Sequence, residues 1–408
     1  MFKNSANFLI SLKYIFISGA SKGFNYILLF YFAIGVYSEQ YITILLLLSL
    51  EQILSLLLPL NHSSLIYSKS ITNYKQITNK MTSNSIVMVL LFTSFYFIFK
   101  SQVSDYFEVD NTIVFISIFM SMLINSYLVY LTNYYKIIEE HKKALVVQAL
   151  FLISFLCIII LVLVLKNVVV AFFLGKAIGL LIVLIILKSA NLLGFDFKIS
   201  FLSTNELKKV LNLFSISALG WASSLGFLHL AKLYSTPDEL VEIGYVLNIF
   251  NIFLLISIGV NSIYAPLIKK YLLEKNVTKA IKIKTKTLLL YLLIAVTFYI
   301  LSTILSNMDF SFNNKIKAII SVIPYSILVL VFSAFNWVVQ PFYLVNDKFK
   351  DYNMINIISY ILWCSFVVIS ISLGYKNFIV FLLVIHFIKN GFSFFYAKQT
   401  FISRKQIN

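Results

Sequence analysis

The sequence predicts an all-α polytopic membrane protein of twelve transmembrane helices, built as two parallel six-helix repeats. Three observations predict it: twelve apolar stretches with short connections, lysines concentrated in every second connection, and rare residues that recur between the halves. The 408 residues are 60% hydrophobic and only 12% charged, with a mean hydropathy of +0.91. A globular surface of that composition would not dissolve, whereas a bilayer solvates it.

The stretches follow in order. The first, 14–36, opens after Lys13 and carries Lys22 and Asn25. The second, 41–67, holds Glu51 and runs past Pro59, and the third, 84–99, leads to a short acidic connection, Lys100–Asn111. Stretches 112–135, 144–165 and 168–187 complete the first half, the last of them with Lys176 inside it. The connection Lys188–Lys209 is broken by Gly194, Asp196, Ser200 and Ser203, and it divides the expected domains, 1–195 and 196–408. The second half has stretches at 210–233, 240–268, 287–306, 316–344, 352–374 and 377–397, with His386 and Lys389 in the last. Most reach the roughly 20 apolar residues that a helix needs to cross a hydrocarbon core about 30 Å thick.

Charge sets the orientation. With both termini placed in the cytoplasm, 24 of the 33 basic residues fall in inner segments and 6 in outer ones; the other three lie within stretches. Positive residues stay on the cytoplasmic side during insertion, so the expected location is a bacterial inner membrane, multi-pass, with both ends inside. The net charge of +17 lies on that inner face, where anionic lipid headgroups sit, and nucleic acid is not an expected partner. No cleavable signal precedes the first stretch. Cys157 and Cys364 both fall mid-stretch, which gives no disulfide framework.

The repeat rests on rare residues. Pro59 and Pro266, Glu140 and Asp347, Lys143 and Lys350, and Cys157 and Cys364 are each related by 207 positions, and a shorter offset aligns Gly23 with Gly220. An even number of helices per unit gives the two copies the same orientation. The lysines Lys279, Lys282 and Lys286, within the run from Lys269 to Lys286, have helical spacing and suggest an amphipathic element on the inner surface.

What is missing narrows the chemistry. No connection is long enough for a soluble catalytic domain, no GxxxxGK[ST] loop is present, and the four histidines are scattered without metal-ligand spacing. No catalytic group, metal or cofactor is therefore expected, and a secondary transporter is favoured over an enzyme.

Charges at membrane depth are the candidate functional residues, since each costs about 2.5–3.5 kcal/mol at a helix centre unless a partner or cavity receives it. Lys22, Lys176 and Lys389 are the candidate cations that contact substrate, Glu51 is the candidate ion-coupling carboxylate, and Asn25 and His386 are candidate polar groups beside them. Lysine stems also snorkel to an interface, and that reading stands beside the functional one. Glu51 either pairs with Lys22 or is protonated and released in turn. Lys176 and Lys389 are candidate equivalents in the two repeats, at an offset of 213. Three cations against one acid suit an anionic substrate, because a phosphate in a low-dielectric site needs cations to replace its water.

Four segments carry a family resemblance. Ser18–Ser38 (SGASKGFNYILLFYFAIGVYS) resembles the opening helix of O-antigen flippases of the polysaccharide transporter family, within the multidrug, oligosaccharidyl-lipid and polysaccharide exporter superfamily. Leu240–Lys270 is similar to the eighth helix with its Pro-Leu exit, and Asn336–Asn356 to the tenth helix and following loop. Leu58–Ser70 is similar to the end of the second helix, although Asn61 stands where glycine is usual. The resemblance implies two six-helix bundles around a central cavity that opens alternately to each side. It implies a substrate of undecaprenyl-pyrophosphate-linked oligosaccharide, an O-antigen or capsule repeat unit, moved from the cytoplasmic to the periplasmic leaflet. Partners implied are membrane lipids, an O-antigen polymerase and a chain-length regulator. The alternatives are a multidrug or other lipid-linked-precursor exporter of the same superfamily, or a membrane glycosyltransferase or polymerase.

Overall fold

The computed structural model describes residues 17, 26–35, 38–57, 74–138, 140–192, 199–308, 314–346 and 348–402. Within them the chain is helical throughout. A helical run over 26–34 (α1) is followed by α2 (Ser38–Leu57), α3 (Tyr74–Ile98), α4 (Lys100–Phe107), α5 (Thr112–Ile137), α6 (His141–Leu150), α7 (Leu152–Val164) and α8 (Val168–Ser189). Then come α9 (Thr204–Ala222), α10 (Phe227–Tyr234), α11 (Pro237–Leu273), α12 (Val277–Ser306), α13 (Asn314–Val345), α14 (Phe349–Ser372) and α15 (Phe378–Ala397), which a π-helical turn, Lys398–Ile402, extends. Ten helical segments among the described residues are long and apolar enough to cross a membrane. Many apolar side chains face outward on them, Leu90, Ile98, Leu163, Leu293 and Ile361 among the most exposed. A chain that presents such faces is a multi-pass membrane protein.

Two of the twelve expected spans are not among the ten. The first lies mostly outside the described residues, and with it Lys22 and Asn25, as do 58–73. The seventh is interrupted: α9 ends at Ala222, a turn occupies 223–226, and α10 restarts at Phe227. The sequence there is Ser-Ser-Leu-Gly, whose hydroxyls compete for backbone hydrogen bonds and whose glycine favours leaving the helix. The acidic connection after the third span is also more ordered than expected. It forms α4, whose Phe107 is buried beside Phe115, and it ends at Glu108 in the left-handed region (φ 58°). The lysine-bearing amphipathic element is not separate either; Lys279 to Lys286 are the opening turns of α12 itself.

Chain contacts divide the protein into two compact units, and the division runs between Trp221 and Ala222. Leu29–Ile34 groups with the C-terminal unit. The dividing point lies at the end of α9, just ahead of the break in the seventh span. The reason is local to the N-terminal unit. Glu206 in the first turn of α9 pairs with Lys80 of α3 at 3.0 Å, the Ser200 amide donates to Ser83 Oγ at 3.1 Å, and the Trp221 indole donates to the Ser49 carbonyl at 3.0 Å. These bonds fasten the loop and the first half of the seventh span to α2 and α3.

In the N-terminal unit α8 is the central element, packed on α2, α5 and α7. Its contact with α7 is made through Gly175 and Gly179, a pair spaced for close helix approach. A Cβ added at Gly179 would lie 2.3 Å from the Ser154 Cα, and one at Gly175 would lie 2.7 Å from the Ile158 Cα. In the C-terminal unit α13 has the central place, against α11, α12 and α15. α11 starts with a capping box, Thr236 and Glu239 satisfying each other's backbone amides ahead of Pro237, and it continues through Pro266 to Leu273.

α8 and α15 start alike. Lys166-Asn167 precedes α8 and Lys376-Asn377 precedes α15, and each asparagine side chain accepts from the amide three residues on, Val170 and Val380. This shared cap sets the register between them. It aligns Lys176 with His386, and Gly179 with Lys389.

Candidate functional site

Glu51 and Lys176 meet in the N-terminal unit. Glu51 is 5% exposed on α2, and the Lys176 ammonium on α8 lies 2.6 Å from both of its carboxylate oxygens. Among the described residues Glu51 is the carboxylate lying more than two turns inside a membrane helix. Its partner among the described residues is therefore Lys176; Lys22, the partner expected from sequence, lies outside them. This pairing joins α8 to α2 across 125 residues of sequence. The Trp221 indole also donates to Ser49 Oγ, at 3.1 Å, two residues from Glu51 on the same helix.

The second cluster belongs to the C-terminal unit and forms around the helix break. Ser223, the first residue of the turn, is buried. Its carbonyl accepts from His386 Nε2 at 2.8 Å, while its hydroxyl accepts from the Lys389 ammonium at 3.2 Å. A carbonyl can only accept, so Nε2 carries a proton. The other ring nitrogen, Nδ1, lies 3.2 Å from Ser333 Oγ on α13. Phe250 of α11 packs edge-on against the imidazole at 5.3 Å, and Tyr360 of α14 hydrogen-bonds Ser223. His386 and Lys389 are one turn apart on α15, 4% and 9% exposed. No carboxylate pairs with Lys389 among the described residues.

The two clusters differ in balance. One is an acid and a base that neutralise each other. The other is a cation held by a hydroxyl, beside an imidazole anchored on an unwound backbone. Helix interruptions at membrane depth are tolerated where neighbouring groups re-satisfy the freed carbonyls, and His386 does so here. The break and its role as an anchor were missed from sequence; the Ser223-Ser224-Leu225-Gly226 run was the available signal. Asn336 of α13 accepts from the Tyr352 hydroxyl of α14 at 2.9 Å and so joins the two helices. Lys22 and Asn25 lie outside the described residues. No group of three or more metal-ligating side chains occurs among the described residues.

No protein-family model matches the sequence, and no curated protein matches it. Solved structures do match in three dimensions. A MATE protein in complex with MaD5 superposes with a TM-score of 0.67 at 11% identity, covering 97% of this chain and 96% of the other. A multidrug resistance MATE family transporter of the MOP superfamily, in an outward-facing conformation, gives 0.64 at 12% identity, covering 96% and 94%. A MOP superfamily transporter from Pyrococcus furiosus, described by the reverse polarity of its binding pocket, gives 0.62 at 10% identity, covering 96% and 95%. The fold is that of the MATE transporters. The likeness extends over nearly the whole chain.

Proposed function

We propose that this chain is a transporter of the MOP type that flips a lipid-linked oligosaccharide. The pyrophosphate-bearing repeat unit would pass from the cytoplasmic to the periplasmic leaflet as the two units alternate access. One observation carries the anionic substrate: Lys389 is buried at the helix break with no carboxylate partner among the described residues. A buried cation held by a single hydroxyl is costly, and an anionic group on the substrate relieves that cost. The segments that resemble O-antigen flippases, and the MATE fold across the whole chain, support the same reading.

The cation-antiporter alternative is less well supported. It needs an acid available to a cation at depth, and Glu51 is engaged by Lys176. If Glu51 couples transport to protons, the pair with Lys176 is what must open in each cycle. Of the three cations expected against one acid, Lys22 lies outside the described residues and Lys176 is paired with Glu51, which leaves Lys389. Lys389 keeps the substrate-binding role, and His386 positions it.

The test is complementation of a flippase-deficient strain. Lys389→Gln should stop surface polysaccharide display while the protein stays in the membrane, and Lys389→Arg should restore more display than Lys389→Gln. Full display with Lys389→Gln, at equal protein level, would sink the anionic-substrate reading. Export of a cationic dye that needs Glu51, with no effect on polysaccharide, would favour the antiporter.

A further inference from the structure

α12 opens with four lysines, and the helix sends three of them outward. Lys279, Lys282 and Lys286 are exposed, whereas Lys284 is only 8% exposed. Its ammonium lies over the Phe394 ring of α15, 5.0 Å from the ring centre. Lys398, in the π-helical turn that extends α15, follows Phe394 by four residues, so a second cation stands one turn along the same side of that helix. No carboxylate pairs with Lys284 among the described residues. Asp351, at the start of α14, is engaged elsewhere: it accepts from the Tyr396 hydroxyl at 3.0 Å and has the Lys348 ammonium at 3.6 Å. Nearby on α12, Ala280 packs with Ile268 and Phe342, with Ile283 against them, an apolar wall that offers no counter-charge.

A buried ammonium without a counter-ion is unfavourable, and an aromatic face offsets only part of that cost. A second lysine adds repulsion. An anion that takes donors from both ammonium groups at once removes both penalties, and ammonium groups bind phosphate well as point charges. This end of α12 is also the one that the lysine asymmetry assigns to the cytoplasmic face, where phosphate-bearing headgroups are dense.

We propose that Lys284 and Lys398 form a phosphate-binding site at the lysine-rich end of the C-terminal unit, taking a phosphate carried by a lipid. The site stands apart from the Lys389 cluster and does not depend on what the transporter moves. Its phosphate comes either from an anionic membrane lipid or from a lipid-linked pyrophosphate, and the two sources are separable by experiment. Native mass spectrometry of the full chain, released from nanodiscs of phosphatidylglycerol and phosphatidylethanolamine, reads bound lipid directly. Wild type should retain phosphatidylglycerol in preference; Lys284→Met and Lys398→Met should each weaken that preference about tenfold, and Lys284→Arg should keep it. Lys398 is exposed, so its variant tests the site without disturbing the fold. Added inorganic pyrophosphate that displaces phosphatidylglycerol supports the site with a lipid-linked pyrophosphate as its ligand; retained phosphatidylglycerol supports it with a membrane lipid. A wild type with no preference, or a preference unchanged in both methionine variants, overturns the proposal. Because the readout is binding, a wrong substrate assignment leaves it intact.

Discussion

The ammonium of Lys176 and the carboxylate of Glu51 form a bidentate pair, 2.6 Å from nitrogen to each oxygen, between two helices of the N-terminal unit. Both side chains are largely withdrawn from their surroundings, at 18% and 7% exposure. Such a pair adds little net stability over an apolar replacement, but losing one partner strands the other charge. Glu51→Gln should therefore destabilise the protein by about 3–5 kcal/mol. The double variant Glu51→Gln with Lys176→Met should recover most of that loss, and the swap Glu51→Lys with Lys176→Glu should recover part. Thermal unfolding in detergent measures all three. A swap of Glu51 with Lys22 should recover nothing, since Lys176 would still lack its partner.

Much of this architecture is legible in the sequence, and the reasons for the rest are physical. Span positions follow from apolar length, and the expected 112–135 and 168–187 stretches reappear as α5 and α8 within two residues at each end. Contacts between loops also respect the alternation of sides: Lys80 meets Glu206, and the Val168 amide meets Gln40, each pair assigned to one face. The break at Ser223 was not legible, because hydropathy averages over a turn of four residues in a span. The partner of Glu51 was not legible either, because α2 and α8 are distant in sequence. The asparagine caps, which mark where α8 and α15 start, offer a second register beside the candidate pairing of Lys176 with Lys389. A register of caps would have aligned Lys176 with His386 and shown that the two units differ at equivalent positions.

Lys389 should illustrate a conflict between stability and function. A methionine of similar length removes the buried ammonium and fills the same space. Lys389→Met is expected to leave stability unchanged or raise it by about 1–3 kcal/mol, while transport is lost. Unfolding temperature and surface polysaccharide, measured on the same variant, check both halves. A marked fall in unfolding temperature would mean that the bond to Ser223 Oγ is chiefly structural.

The glycines of α8 offer a test of packing alone. At Gly179 a Cβ would collide with the backbone of Ser154, an atom that cannot rotate away, so α7 and α8 would have to separate. Gly179→Ala should cost about 1–3 kcal/mol, and Gly175→Ala a similar amount through Ile158. Gly220 has open space around its Cβ position, so Gly220→Ala is the matched control and should be tolerated. Comparing the unfolding temperatures of the three variants separates close approach from a general dislike of side chains in these helices.

The last prediction concerns pH and the fastening of α9. Partial burial by itself raises the Glu206 carboxyl, but the Ser203 amide, the Ser203 hydroxyl and the Lys80 ammonium together hold it below the ordinary value of 4.5. The Ser203 amide donates at 2.7 Å, its hydroxyl at 2.8 Å, and Lys80 at 3.0 and 3.2 Å to the two oxygens. A carboxyl with a depressed folded value binds fewer protons folded than unfolded near pH 4.5, so its contribution is complete above that pH and is lost as the pH falls through the folded value. With a quarter of the side chain exposed, screening limits the size of the effect, and Glu206→Gln should cost about 1 kcal/mol near neutral pH. Wild type should lose that advantage on acidification below 4.5, while the Glu206→Gln variant, having no proton to gain there, should show a flatter profile over the same range. Measured from pH 7 to 3, the two stability curves should converge. Curves that stay parallel would mean that Glu206 is not what fastens the first half of the seventh span to α3.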